Sequence, residues 1–157
     1  MSRRRTEPEQ LGDPTGHDPL AFTLAYLHPL WMLGSLALAA AALRAGLRLR
    51  RARRLGQKRS AAVYRRHLVL AKATLVCVTV GFGAGIASSV LLRGWSALAT
   101  AHGWLAVAAL ASFLTTGLIG WRMEHGYGRA VEWHARLAAL SVLLAAAALG
   151  TGLVLLP

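Results

Sequence analysis

The 157-residue sequence predicts an all-α protein, a four-helix transmembrane bundle running up-down-up-down with both termini outside. Three observations predict it: four long apolar runs, almost no charge within them, and one intensely basic segment between the first two. A helix rises 1.5 Å per residue, so about twenty apolar residues cross the hydrocarbon layer. The runs 20–43, 68–92, 94–121 and 137–157 each reach that length, and only the second contains a charge, Lys72, near enough to its end to snorkel. At 55% hydrophobic residues the chain reads as one membrane domain, 20–157, behind a disordered polar tail, 1–19.

The formal net charge of +12 does not point to nucleic acid, because the basic residues are concentrated. Residues 44–66 hold Arg44, Arg48, Arg50, Arg51, Arg53, Arg54, Lys58, Arg59, Arg65 and Arg66 with no acid among them. Such a segment between two spans is the orientation signal of the positive-inside rule, so 44–66 is expected to be a cytoplasmic loop. The turn between the second and third runs has only Arg93, which fits an outer location. In the tail, Arg3, Arg4 and Arg5 are offset by Glu7, Glu9, Asp13 and Asp18, and no apolar core or cleavage site follows them closely. Cys77 stands alone, which excludes an internal disulfide and Cys-x-x-Cys-His attachment of a c-type haem.

Of six histidines, His17 lies in the tail and His125 in a polar loop. The other four fall one per helix: His28, His67, His102 and His134. Ionisable groups inside spans are costly and default to function. With the first and third helices running inward, His28 and His102 lie at one outer level, and His67 and His134 at one inner level. In an up-down-up-down bundle each pair belongs to diagonal helices and faces across the axis. Two imidazoles with no carboxylate or thiolate beside them are too few for a bare zinc or copper ion. A porphyrin supplies four further nitrogens, and two axial histidines then complete a six-coordinate iron with no open position.

A second pattern points the same way. Eighteen residues make five helical turns, so residues eighteen apart share a face. At that spacing His28 is followed by Gly46, His67 by Gly85, His102 by Gly120 and His134 by Gly152. Each glycine is expected at the opposite membrane level from its own histidine, where it would let a flat macrocycle approach. Arg65, Arg66 and Arg136 adjoin the inner pair and are candidates for binding propionates. Trp31, Trp95, Trp104, Trp121 and Trp133 fit interfacial belts. The run Gly81-Phe82-Gly83-Ala84-Gly85 lies in an apolar span with no preceding strand, which reads as helix packing rather than nucleotide binding.

These residues resemble the cytochrome b561 type of transmembrane di-haem protein. The carrying segments are YLHPLWM (His28, Pro29, Met32), YRRHLVLAK (His67, Lys72), TAHGWLAV (His102, Trp104) and VEWHARLAAL (His134). The late Thr151-Gly152 pair is similar to a four-helix branch of cyanobacteria and other bacteria. The resemblance runs from about Tyr26 to the end, and it implies two bis-histidine haem b groups and single-electron transfer across a membrane. It further implies a plasma (inner) membrane, or a thylakoid or other photosynthetic membrane, with quinol or another redox partner and membrane lipid as surroundings. An oxidoreductase activity would depend on that donor. Better-known eukaryotic members have six helices, and no ascorbate site is carried over. The rival reading is a non-haem accessory or assembly subunit of a larger membrane complex; a proton-handling subunit is disfavoured by the lack of acids in the spans.

Overall fold

The computed structural model describes residues 19–155 apart from Arg93, Trp95 and Ala97, with side chains from Tyr26 onward other than that of Leu92. His17 and the expected disordered tail lie outside the described residues, apart from Pro19, which opens α1. Four α-helices follow in order: α1 (Pro19–Arg54), α2 (Ala61–Ala87), α3 (Ala101–Glu124) and α4 (Val131–Leu153). All four are long and apolar enough to cross a membrane. No strand occurs among the described residues.

The helices begin and end where local chemistry dictates. Ser60 caps α2 by accepting from the Val63 amide, and Thr100 caps α3 by accepting from the Gly103 amide. α1 and α3 both close on a glycine in the left-handed region, Gly56 at φ 64° and Gly126 at φ 80°. In each case the two amides beyond the helix turn back onto its last carbonyls: Gly56 to Arg53 and Gln57 to Ala52, Gly126 to Met123 and Tyr127 to Arg122.

Several expected boundaries move, among them the starts of α2, at Ala61, and α4, at Val131. Residues 44–54, expected in a loop, continue α1, because arginine, leucine and alanine favour helix and nothing breaks the pattern before Gly56. The connection to α2 is therefore only 55–60. The third helix begins at Ala101 instead of 94: Gly94 takes φ 61°, and the cap at Thr100 sets the start. A π-helical turn, Ser88–Leu92, widens the end of α2.

α1 packs on α2, α3 on α4, and the two hairpins meet along α1–α4 and, less extensively, α2–α3. The diagonals α1–α3 and α2–α4 are held apart, as an up-down-up-down order requires. The interior is built from small side chains: Ser35, Ala39, Ala42, Ala45, Thr74, Ala109, Thr116, Ser141 and Ala148 are buried, while Leu30, Val69, Leu91, Leu114, Leu118 and Leu143 face outward. That distribution is the inverse of a water-soluble bundle and suits lipid, where close backbone approach rather than apolar burial joins helices. The buried hydroxyls satisfy themselves locally. Ser141 donates to the Leu137 carbonyl and meets the Ser112 hydroxyl at 2.8 Å, and Thr74 donates to Leu70.

At mid-height Ala39, Val78 and Phe113 form an apolar layer, with Leu75, Leu110, Val142 and Ala145 against it. Phe113 separates two cavities and lines both. Replacing Phe113 with Ala is expected to merge them and to cost about 3–5 kcal/mol of stability. Denaturant titration in detergent, beside Phe113→Leu as the milder change, measures this; equal stability of the Ala variant and the parent would contradict the layer's role.

Candidate functional site

The four span histidines come together as two pairs. His28 on α1 and His102 on α3 face each other with ring centroids 6.4 Å apart and planes at 85°. His67 on α2 and His134 on α4 do the same at 6.2 Å and 89°. Each pair joins diagonal helices, so each ring points across the bundle axis. The His28–His102 pair sits at the end where the described chain starts and finishes, and the His67–His134 pair at the end carrying the arginines.

How the rings are held follows from what an apolar interior offers. An imidazole N–H buried without a partner is costly, and the acceptors available are backbone carbonyls already engaged in helix bonds. A carbonyl has a second lone pair, however, and a side chain four residues later covers it. Three histidines use such a carbonyl on the neighbouring helix of their hairpin: Nδ1 of His67 lies 3.0 Å from the Ala42 oxygen, that of His102 2.7 Å from Ala148, and that of His134 3.1 Å from Thr116. Four residues after these carbonyls stand Gly46, Gly152 and Gly120. A Cβ there would meet the ring, at 3.1 Å from His67 Cε1, 2.9 Å from His102 Cε1 and 3.1 Å from His134 Cε1. Gly85 stands against His28 in the same manner, with Cε1 2.8 Å from where its Cβ would be. With Nδ1 as donor, Nε2 of these three rings is left as the lone-pair nitrogen.

The glycines therefore lie at the membrane level opposite their own histidines, and each faces the ring carried by its hairpin partner. The sequence pattern placed them as clearance for a macrocycle; the structure adds that they are seats for the rings. All four also line the cavities. The same device recurs once outside the pairs. The Trp31 indole donates to the Cys77 carbonyl at 2.8 Å across Gly81, so this tryptophan is tied to α2.

The cavity around His67 and His134 has a volume of about 800 Å³ and that around His28 and His102 about 150 Å³. The larger lies within the range of small-molecule sites and the smaller below it. Their walls differ in charge. The larger is bordered by Arg50, Arg53, Arg59, Arg129, Lys72 and Glu124. The smaller has no charged wall residue among those described, only hydroxyls such as Ser88, Ser89 and Thr100 near its opening. No group of three or more metal-binding side chains occurs among the described residues.

Arg65, Arg66 and Arg136, expected beside the inner pair, do not border the cavity. All three are exposed, and Arg136 stacks on Trp133. Helical phase decides this: residues one or two positions from an inward-facing histidine point elsewhere. The arginines that do border the cavity come from the end of α1, the short connection and the α3–α4 turn, which only the folded chain brings together. Arg50 forks onto both oxygens of Glu132 with Arg54 joining at 3.1 Å, and Lys72 meets Glu124, the last residue of α3, at 2.8 Å.

No family model, curated protein or solved structure matches the chain.

Adding a methyl at Gly152 forces the His102 ring from its carbonyl. Gly152→Ala is expected to cost about 1–3 kcal/mol, the usual penalty of overpacking. NMR of the imidazole Cε1–H groups should show His102 shifted and His134, on the same helix as Gly152, unmoved; a shift of His134 alone would contradict the seat.

Proposed function

We propose that the protein is a b-type membrane cytochrome that binds haem between His28 and His102 and between His67 and His134 and carries single electrons between the two sites. One observation carries the reading. A metal–imidazole bond is about 2.0–2.1 Å and a ring centroid lies about 1.1 Å behind its nitrogen, so two imidazoles trans on one metal have centroids roughly 6.2–6.4 Å apart. Both pairs stand at that spacing, 6.4 and 6.2 Å, although they occupy opposite ends of the bundle. Two histidines do not hold a bare ion, whereas an iron already held by four porphyrin nitrogens needs only these two.

The cavities support the larger site directly, because about 800 Å³ lies beside His67 and His134. At about 150 Å³ the other requires its walls to move apart, and the π-turn of α2 and the segment before α3 border it. When bound, haem would supply one-electron chemistry. The chain's own part is to hold His67, His102 and His134 through backbone carbonyls with Nε2 as the lone-pair nitrogen, to set His28 opposite His102, and to line both sites with small residues. His28 with His102, and His67 with His134, would hold the iron, and iron held by two histidines favours electron transfer over oxygen chemistry. Positive-inside reasoning assigns the arginine-rich end to the cytoplasm, with both termini outside and His67 and His134 as the inner pair.

The first test is a reduced-minus-oxidised absorption spectrum with a haem-to-protein ratio on purified protein. A b-type spectrum is expected; a colourless protein from haem-replete cells would favour the accessory-subunit reading instead.

Single substitutions then assign the sites. His28→Ala or His102→Ala should remove one haem, and His67→Ala or His134→Ala the other. Gly152→Leu should damage the haem of the His28–His102 site, which α4 does not ligate, and Gly120→Leu that of the His67–His134 site. Equal loss of both haems in Gly152→Leu would contradict the crossed contacts.

A further inference from the structure

The outward face of α1 changes character along its length. Leu33, Ala37, Ala40, Arg44, Arg48 and Arg51 recur every three or four residues, so they share one face, and all are exposed. Ala39, Ala42 and Ala45, interleaved with them, are buried, so the stripe points away from the bundle. It is apolar as far as Ala40 and then carries arginine for about two turns. The register of the first hairpin fixes the height of that change. Gly46 lies against His67, so in antiparallel order Arg44 is level with Val69 and Arg48 with Arg65. Val69, 67% exposed, begins the large apolar residues on the outer face of α2, and the exposed Arg65 and Arg66 precede it. The hydrocarbon layer therefore ends near Arg44 and Val69, and Arg48, Arg51, Arg65 and Arg66 stand at headgroup level.

None of these five arginines has an acid partner among the described residues, since Glu124 and Glu132 are engaged by Lys72, Arg50 and Arg54. None borders either cavity. Membrane orientation counts the charges near span ends and does not require them to share a helix face. Here Arg44, Arg48 and Arg51 share the face that meets lipid. A soluble acidic protein approaches the end of a bundle, whereas this ridge faces sideways in the membrane plane, with Leu47, 44% exposed, among its arginines. Guanidinium groups fork onto phosphate oxygens, and cations just beyond a span attract anionic lipid.

We propose that Arg44, Arg48 and Arg51 of α1, with Arg65 and Arg66 of α2, form a binding ridge for the phosphate headgroup of an anionic phospholipid in the leaflet at the arginine-rich end. The acyl chains of that lipid run along Ala40, Ala37 and Leu33. The site is independent of whatever the histidine pairs hold.

Native mass spectrometry and thermal unfolding of the full-length protein in detergent, with phosphatidylglycerol or phosphatidylcholine added, test this. Phosphatidylglycerol should stay bound and raise the unfolding midpoint, and phosphatidylcholine should do neither. Arg44→Gln/Arg48→Gln/Arg51→Gln should lose most of the bound lipid and most of the shift. Arg48→Gln/Arg66→Gln, a milder change on the same ridge, should lose part of both and carries the test if the triple variant fails to fold. Arg53→Gln/Arg59→Gln/Arg129→Gln removes equal charge from the border of the larger cavity and should keep both. Equal effects of the two lipids would leave the ridge to an acidic soluble partner and overturn the proposal. So would equal losses in ridge and cavity-border variants, or the same shift from inorganic phosphate alone.

Discussion

The bundle depends on one constraint: a polar N–H placed among apolar helices must find an acceptor, and the helix backbone is the acceptor at hand. His67, His102 and His134 each take the spare lone pair of a carbonyl on the adjacent helix, and a glycine four residues later uncovers it. Trp31 obeys the same rule through Cys77 and Gly81. These contacts fix ring orientation, bring the backbones of each hairpin close and set the helix register, because sliding one helix by a residue would replace a glycine with a side chain under the ring.

The constraint is applied twice, once in each hairpin. In α1–α2, Gly46 seats His67 and Gly85 seats His28; in α3–α4, Gly120 seats His134 and Gly152 seats His102. Each hairpin thus carries one histidine for each end. Neither pair exists until the hairpins meet, since His28 faces His102 and His67 faces His134 across the seam. Among the described residues the ion pairs Arg50–Glu132, Arg54–Glu132 and Lys72–Glu124 cross that seam, all at the arginine-rich end. Exposed ion pairs contribute little each, so the apolar layer around Phe113 and the packing of small residues carry most of the join.

Small interior residues have a second consequence. With Ala39, Ala42, Ala109, Ser141 and Ala148 inside, the axis is narrow where helices touch and hollow where the histidines stand. Phe113 lines both hollows and stands between them, so the bundle holds two cavities, one at each histidine pair.

Much of this was legible in the sequence. Runs of about twenty apolar residues dictate membrane-length helices whatever their neighbours are, and one histidine per run with a glycine five turns away is a property of helical periodicity alone. The pairing of His28 with His102 and of His67 with His134 followed from antiparallel order. Boundaries were less legible, because the arginines of 44–54 read as a loop by charge while being good helix formers, and the start of α3 waited on a left-handed Gly94. Tertiary structure alone decided which ring each glycine seats, since a helix face does not name the helix it meets. It alone also decided that Arg53, Arg59 and Arg129, rather than Arg65, Arg66 and Arg136, border the larger cavity. Sequence proximity to a histidine sets helical phase away from it, whereas residues far apart along the chain converge only when the hairpins close.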